Sequence, residues 1–429
     1  MNRLLRLRTY VIFAGTALAL IGVYLWMAYR QPVPPDIRDT LLDPLTFMSE
    51  DQFRDATRYS FFRDWLFFAS YVWEWGVLLW LLAFGAARKA LDRLEALIPF
   101  RLLRFPVYMA AVACVLFVTA LPVRAAGYLL SRNYGISTLS FPGWLRDQLI
   151  GLSVQYVLLL AAGAAAFVMI GRGGRWWLRL WALSVPFLFF MLYIQPVVID
   201  PLYYTYEPLK DVSLEADLLT LADEAGIPAD RVYVSNVSKK TNAINAYVDG
   251  IGPSLRIVLW DTALRELTKE EIVMMTAHEI GHYKMHHLEW SLAGSIVSVF
   301  LLLWIGGALY TVAVRRWGAE FGIRSMADWS ALPLMLLLLS ALTFVSTPAA
   351  SAVSRQAERA ADQYAYELVG SSAGAASLFQ KLAVSALNRL EPPALTYWFR
   401  STHPSLHERI VMAESVREAS QHRAVRGAE

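Results

Sequence analysis

The segment His278-Glu279-Ile280-Gly281-His282 is where the chemistry of this sequence can be read directly. Histidines four residues apart fall on one face of an α-helix, so both imidazoles can reach one metal ion. The glutamate beside the first histidine is placed to hold and deprotonate a water on that ion. Zinc lowers the pKa of such a water toward ~7, which makes hydroxide available at neutral pH. The competing explanation is a chance match on a polar helix. Against it stands the placement of histidine: all 7 lie after Ala277, whereas histidines used as filler would be scattered.

A catalytic zinc takes three protein ligands and keeps one position open. The candidate for the third is Glu358 in Ser354-Arg-Gln-Ala-Glu-Arg-Ala-Ala-Asp362. Glu358 and Asp362 are again four apart on one helical face. Glu358 can ligate, and Asp362 can accept the outer N–H of a zinc-bound histidine and so fix its tautomer. The bland alternative is a solvated face on which Arg355 and Arg359 pair the two acids.

The elements that must position these groups are visible too. Thr268-Lys-Glu-Glu271 is a capping box that predicts a helix starting at Lys269. No proline falls between Asp261 and His287 to interrupt it. Gly281 weakens that helix, and a small residue there admits close packing by another segment. Upstream, Ser213 reads as the cap of an amphipathic helix that stops near Gly226-Ile-Pro228. Arg231-Val-Tyr-Val234, Asn245-Ala-Tyr-Val248 and Leu255-Arg-Ile-Val-Leu-Trp260 read as short strands, with Asp249-Gly250 and Gly252-Pro253 as turns between the last two. Peptidases commonly hold substrate as an added strand on such an edge.

Apolar residues make up 56% of the 429-residue chain and charged residues 17%, well below the quarter usual in soluble domains. Seven apolar stretches are long enough to span a bilayer: 10–29, 65–85, 106–123, 149–170, 177–196, 291–314 and 330–347. The first follows Arg3, Arg6 and Arg8, runs on to Tyr29 and ends at no Ala-x-Ala site, so it reads as a retained span. A five-span membrane domain over 1–196 is therefore expected, followed by a metallopeptidase domain over 197–429 that includes the last two spans (about 291–314 and 330–347). Glu74 in Trp73-Glu-Trp75 is a charge at membrane depth, facing either a cavity or an arginine partner. The lone Cys114 excludes a disulfide framework and a cysteine metal site, and a net charge of +3 gives no case for nucleic acid.

His-Glu-x-x-His followed, two spans later, by Glu-x-x-x-Asp resembles the membrane zinc endopeptidases that include the type I CAAX prenyl protease and the bacterial protease HtpX. Asn245-Ala-Tyr247, Pro201-Leu202, Arg132-Asn-Tyr-Gly135, and Thr402-His-Pro404 with Arg409 favour the CAAX-protease branch, as do seven spans where HtpX-like enzymes have about four. The resemblance implies a mainly α, seven-helix membrane protein enclosing a water-filled chamber, capped by a small α+β zincin-type domain with one Zn2+. It further implies that Asn245, with Ala246 and Tyr247, binds substrate backbone, that His403 donates to the developing oxyanion, and that Arg409 is a structural or electrostatic partner of the site. The sequence departs from the family after the second histidine, where Trp and then Asn-His is common and Tyr283-Lys-Met-His286-His287 stands here. His286 continues the His278 face by spacing, and His286 and His287 are expected beside the site or at the surface.

The expected activity is hydrolysis of peptides or membrane-associated proteins inside or beside the bilayer. The rival is a transporter or receptor with a non-catalytic zinc site, whose signature would be two repeated halves with broken helices; no such repeat is present. Arginine far outnumbers lysine, which suggests a GC-rich bacterial genome and hence a plasma (inner) membrane. Short segments on the amino-terminal side (1–9, 86–104, 171–176, 315–329) hold 13 arginines and lysines, against 8 in the longer facing segments 30–64 and 124–148. The positive-inside rule then places the amino terminus in the cytoplasm and the zinc domain outside, opposite to the orientation understood for eukaryotic CAAX proteases. No motif bears on oligomeric state.

Overall fold

The computed structural model describes residues 2–249 and 255–426. The turn expected at Gly250 and Gly252-Pro253 lies outside the described residues. Among the described residues, seven helices are long and apolar enough to cross a membrane. They are α1 (Asn2–Tyr29), α2 (Glu50–Ala83), α4 (Arg101–Asn133), α5 (Phe141–Gly171), α6 (Trp176–Ile194), α10 (His287–Phe321) and α11 (Leu332–Val369); α3 (Ala86–Leu97) is a short helix between the second and third. Each expected span lies within one of these helices or the turns adjoining it, but several run well beyond the bilayer. α2 starts at a Ser49–Gln52 capping box, because Glu50 to Asp64 is helical sequence too polar to count as apolar.

Contacts close six of the seven spans into a ring, in the order α2, α4, α5, α6, α10, α11 and back to α2. α1 packs on α2 from outside, where Tyr10 meets Gly76 and Trp65 meets Gly22. Burial shows that the ring is hollow. At most 28% of the residues in the most apolar stretch of any span are buried, whereas a packed bundle would bury an inward stripe along its whole length. In α10 the buried residues are Gly307, Tyr310, Ala313 and Gly318, all in its second half; in α11 none lies between Leu334 and Ser351. Packing is concentrated at the two ends. Leu82, Ile170, Trp176, Tyr310, Ile323 and Leu334 close one end, where Arg88 also ties α3 to Asp328 at 3.3 Å.

The other end is roofed by the α+β domain. It contains β1 (Tyr206–Pro208), α7 (Val212–Glu224), β2 (Val232–Ser235), β3 (Ala246–Asp249), β4 (Arg256–Trp260), α8 (Asp261–Glu266) and α9 (Lys269–Lys284). The cap of α7 is Asp211, whose side chain accepts from Leu214 N–H, and not Ser213; an aspartate one residue before the helix displaces a serine inside it. The sheet order is β1-β2-β4-β3, with β2 and β4 parallel and the other pairs antiparallel. β3 is therefore an edge strand, and α9 lies beside it. After α11 the chain adds α12 (Ala375–Ser385), α13 (Ala394–Phe399) and α14 (Leu406–Arg426). One core holds this domain together, from Leu218, Ile257, Leu259 and Ile280 to Phe379 and Ile410, and it also takes in Met48 from the connection between α1 and α2.

Candidate active site

α9 begins where the capping box requires. Thr268 accepts from Glu271 N–H at 3.3 Å, and Glu271 accepts from Thr268 N–H at 2.8 Å. Glu271 is buried and also meets Lys381 Nζ at 2.7 Å and Ser377 at 2.8 Å. Burial alone would raise its pKa, but these partners outweigh that and hold it below the usual carboxylate value. The helix start is thus anchored to α12.

α11 crosses α9 at Gly281. A Cβ there would stand 3.2 Å from the backbone of Ala361, closer than side-chain contacts normally come. The missing side chain lets the two helices approach until residues of both converge. His278 Nε2 lies 3.1 Å from His282 Nε2 and 3.2 Å from Glu358 Oε2, and His282 Nε2 lies 3.5 Å from Glu358 Oε1. Zinc bonded tetrahedrally at about 2.05 Å separates its ligand atoms by roughly 3.3 Å, so three such donors fit around one ion. The donor set agrees, and Glu358 Oε2 is buried with no hydrogen-bond partner. Among the described residues, His278, His282 and Glu358 are the group of three or more His, Cys, Asp or Glu that converge in this way.

Around the triad the structure places the remaining expected residues. His278 Nδ1 lies 2.8 Å from Asp362 Oδ1. Asp362 in turn accepts from Arg409 twice, at 2.8 Å and 2.6 Å, and Arg409 stacks on Phe379; all these groups are buried. Burial would lower the His278 pKa, but Asp362 and Glu358 raise it to about 9. His403 Nε2 stands 3.3 Å from Glu358 Oε2, beside the triad, with its side chain about half exposed. His407 has no side-chain contact with the site among the described residues. His286 corrects the spacing argument: α9 ends at Lys284, and His286, at φ +57°, sits in the break before α10. It pairs with Glu289 at 3.2 Å and is exposed. His287, just past the break, swings back to place Nδ1 2.9 Å from His282 Nδ1.

Glu279 is raised in pKa by burial, and it lines two cavities. One, of about 860 Å3, extends into the ring between α6, α10 and α11 and is also walled by His282, Val248 and Glu358. The other, of about 390 Å3, lies under α12 and α13 and is also walled by His278, His403 and Asn245. The β3 edge thus runs from Asn245 on one cavity to Val248 on the other, past the glutamate. Ala246 is buried in the core and the Tyr247 hydroxyl donates to Tyr206 at 3.2 Å. Trp260 N–H donates to the Asn245 carbonyl, so Tyr247 bonds back to Val258 of β4 and the main-chain groups on the free edge are those of Ala246 and Val248. Glu74 faces inward: Tyr10 covers one side of α2, while Trp73 reaches Thr119 of α4 and Trp75 reaches Ser340 of α11. No arginine pairs with it among the described residues.

Sequence reasoning missed how His403 is held. Arg355, one turn before Glu358, donates to the carbonyls of Tyr397 and Ser401 at 2.9 and 2.8 Å. Arg400 pairs with Asp64 of α2, a fully buried acid that also accepts from Tyr29 and Thr396. An acid at the entrance to an apolar span was the available signal.

Two family models cover the chain: "CAAX prenyl protease N-terminal, five membrane helices" over residues 25–205, and peptidase family M48 over residues 208–417. The metalloprotease YhfN of Bacillus subtilis is 39% identical over 421 residues, which is 97% of this chain and 99% of that protein. This chain belongs to peptidase family M48. CAAX prenyl protease 1 of Saccharomyces cerevisiae is 24% identical over 95% of this chain and 96% of its own. The crystal structure of Ste24p from S. mikatae superposes with a TM-score of 0.78 at 20% identity, over 94% of this chain and 97% of that one. The chain is a multi-pass membrane metalloprotease of the CAAX-prenyl-protease type, and the transporter or receptor reading is left without support.

Proposed function

We propose that this M48 member is a zinc endopeptidase in which His278, His282 and Glu358 hold the metal and Glu279 is the general base. The observation that carries this is the convergence of His278 Nε2 and His282 Nε2, 3.1 Å apart, on the Glu358 carboxylate, whose Oε2 and Oε1 lie 3.2 and 3.5 Å from them, with Glu279 on the same helix turn. Bound zinc supplies Lewis acidity, which acidifies water and polarises a carbonyl oxygen. Glu279 takes the proton from the attacking water and passes it to the leaving amine. Its raised pKa brings it closer to the working pH, as that double duty favours. His403 donates to the carbonyl oxygen as it gains charge, from a loop held by Arg355 and by Arg400 with Asp64. Asp362 keeps the His278 proton on Nδ1 and leaves Nε2 free to ligate, and Arg409 keeps Asp362 ionised. The β3 edge, with Asn245, aligns the substrate as an added strand.

The substrates are peptides or membrane-associated proteins that reach the site through the ring. A farnesylated terminus needs a eukaryotic-type prenylation system, so cleavage of misfolded membrane proteins suits a bacterial setting better. The arginine asymmetry of the short connections supports a cytoplasmic amino terminus with the zinc domain outside a plasma membrane. Cleavage of a quenched peptide by purified protein should be abolished by chelator and restored by zinc. Glu279→Gln should bind zinc at full stoichiometry and lose turnover, whereas Glu358→Ala should lose both. Full zinc in Glu358→Ala would move the third ligand elsewhere.

A further inference from the structure

Arg132-Asn-Tyr-Gly135 stands at the end of α4 and takes no part in the chemistry above. It builds a stiff turn into α5. Gly135 sits at φ +72°, which lets Ile136 N–H reach back to the Ser131 carbonyl at 2.8 Å and Gly135 N–H to that of Arg132 at 3.0 Å. This is the Schellman end of a helix, and it favours glycine at the left-handed position. Arg132 Nη1 then donates to the Leu139 carbonyl at 2.5 Å, and the Tyr128 hydroxyl donates to the same oxygen at 3.0 Å. Tyr134 packs on Tyr59 of α2, with 5.6 Å between ring centres. The turn is thus braced by the membrane domain alone.

Its remaining polar groups point at the zinc domain. Thr138 N–H donates to the Lys240 carbonyl at 3.1 Å and Asn242 N–H to the Ile136 carbonyl at 3.0 Å, so Ser137 and Thr241 face each other across one antiparallel bridge. Asn242 Nδ2 adds a bond to the Gly135 carbonyl at 2.8 Å, and Lys240 Nζ reaches Asp147 of α5 at 2.5 Å. Asn242 is followed directly by Ala243-Ile-Asn245, which leads into β3. The Thr262 hydroxyl holds the Ala243 carbonyl at 2.7 Å, and Trp260 N–H holds that of Asn245 at 3.1 Å. β3 is therefore fixed from both domains just before Ala246, while along its length β4 is its ladder partner among the described residues. A strand fixed in advance loses less freedom when a peptide pairs with it, and that saving appears as affinity.

We propose that Gly135 and Asn242 are positioning residues for the substrate: the α4–α5 turn of the membrane domain clamps the start of β3, so that a peptide adding to the free edge meets Ala246 and Val248 in register with the triad. This rests on the peptidase reading above, and within it on strand addition at β3. A Cβ at Gly135 would meet open space, so Gly135→Ala strains the turn through its backbone alone. Asn242→Ala removes the side-chain bond to that turn. The bridge also offers a reversible replacement for the clamp. Ser137 and Thr241 form a non-hydrogen-bonded pair, whose Cα atoms stand about 4.5 Å apart, within the span of a disulfide.

Two quenched peptides sharing one core sequence serve as probes for the full-length zinc-loaded protein in detergent: a long one able to pair along the strand, and a short one covering little more than the scissile bond. Asn242→Ala and Gly135→Ala should each raise KM for the long peptide about fivefold, the equivalent of one ordinary hydrogen bond, with kcat and zinc content kept. The short peptide, which makes few bonds to the strand, should lose much less. Anisotropy with the long peptide on zinc-loaded Glu279→Gln protein should show the same rise as a ratio of Kd. Adding Ser137→Cys and Thr241→Cys to Asn242→Ala, in a Cys114→Ser background, should restore the long-peptide KM when oxidised and lose it again on reduction. An Asn242-dependent Kd without chelator-sensitive cleavage by the wild type would count against the peptidase reading and leave the clamp standing. Equal losses for long and short peptides make the contact a general structural one and overturn the proposal, as does an unchanged KM in both variants. Loss of cleavage on oxidising the cysteine pair with Asn242 intact overturns it as well, because the turn would then have to release the strand during turnover.

Discussion

Asp362→Asn tests whether the groups behind the triad set its metal affinity. Asp362 uses Oδ1 toward both His278 Nδ1 and Arg409 Nη2, and Oδ2 toward Arg409 Nε, at 2.6 to 2.8 Å. An amide has one acceptor oxygen. With that oxygen toward His278, the NH2 group confronts the Arg409 Nε–H, donor against donor. With the amide reversed, NH2 faces His278 Nδ1, which must then accept, and the ring proton moves to the Nε2 that would otherwise ligate. The second arrangement directly opposes metal binding, and the first leaves a buried guanidinium without its carboxylate. Loss of such a supporting group typically costs 10- to 100-fold in metal affinity, about 1.4–2.8 kcal/mol. Stranding the buried cation costs about 3–5 kcal/mol of stability. Competition with a chromophoric chelator should therefore show zinc binding weakened at least tenfold, and the zinc-saturated protein should melt earlier. Arg409→Met in the Asp362→Asn background should recover melting temperature without recovering affinity, because it removes the stranded charge and not the tautomer problem. Zinc affinity within twofold of the wild type in Asp362→Asn would refute the reasoning.

Three further outcomes are expected. His403→Ala should keep its zinc and its substrate affinity yet turn over about 10²–10³ more slowly, while His407→Ala changes little; metal loss in His403→Ala, seen by elemental analysis, would make it a ligand or scaffold residue instead. Glu271, with its folded pKa below the unfolded value, contributes stability that is fully present above the ordinary carboxylate range and is lost as pH falls through the lower folded pKa. Thermal unfolding at decreasing pH should show Lys381→Met less acid-sensitive than the wild type, and parallel profiles would contradict this. In a Cys114→Ser background, a cysteine within 30–64 should label with an impermeant reagent in intact cells and one near residue 95 should not; the reverse pattern would place the zinc domain in the cytoplasm.

Much of the architecture was legible because the bilayer constrains sequence so strongly. Each span must satisfy its backbone internally and be apolar over about 20 residues, so seven spans could be counted without any structure. Their lengths could not, since helical sequence continues past the apolar part. α11 shows this best: one helix from Leu332 to Val369 carries both a span and Glu358, and hydropathy marks only the first. The hollow ring is also beyond sequence patterning, because residues facing lipid and residues facing a chamber are apolar alike.

The local chemistry divides the same way. The His278-Glu279-x-x-His282 spacing and the Thr268 capping box are decided within one or two helical turns, and the period of the helix suffices to read them. Spacing failed at His286 because the helix ends two residues earlier. What only the tertiary structure decided is convergence. Glu358 reaches His278 because Gly281 has no side chain to hold α11 away. Asp362 meets Arg409 across 47 residues. Arg63, Arg389 and Arg400 gather at one cavity, beside the buried Asp64, from segments more than 320 residues apart. Such contacts depend on how helices cross, which is set by packing summed over many residues and leaves no pattern along the chain.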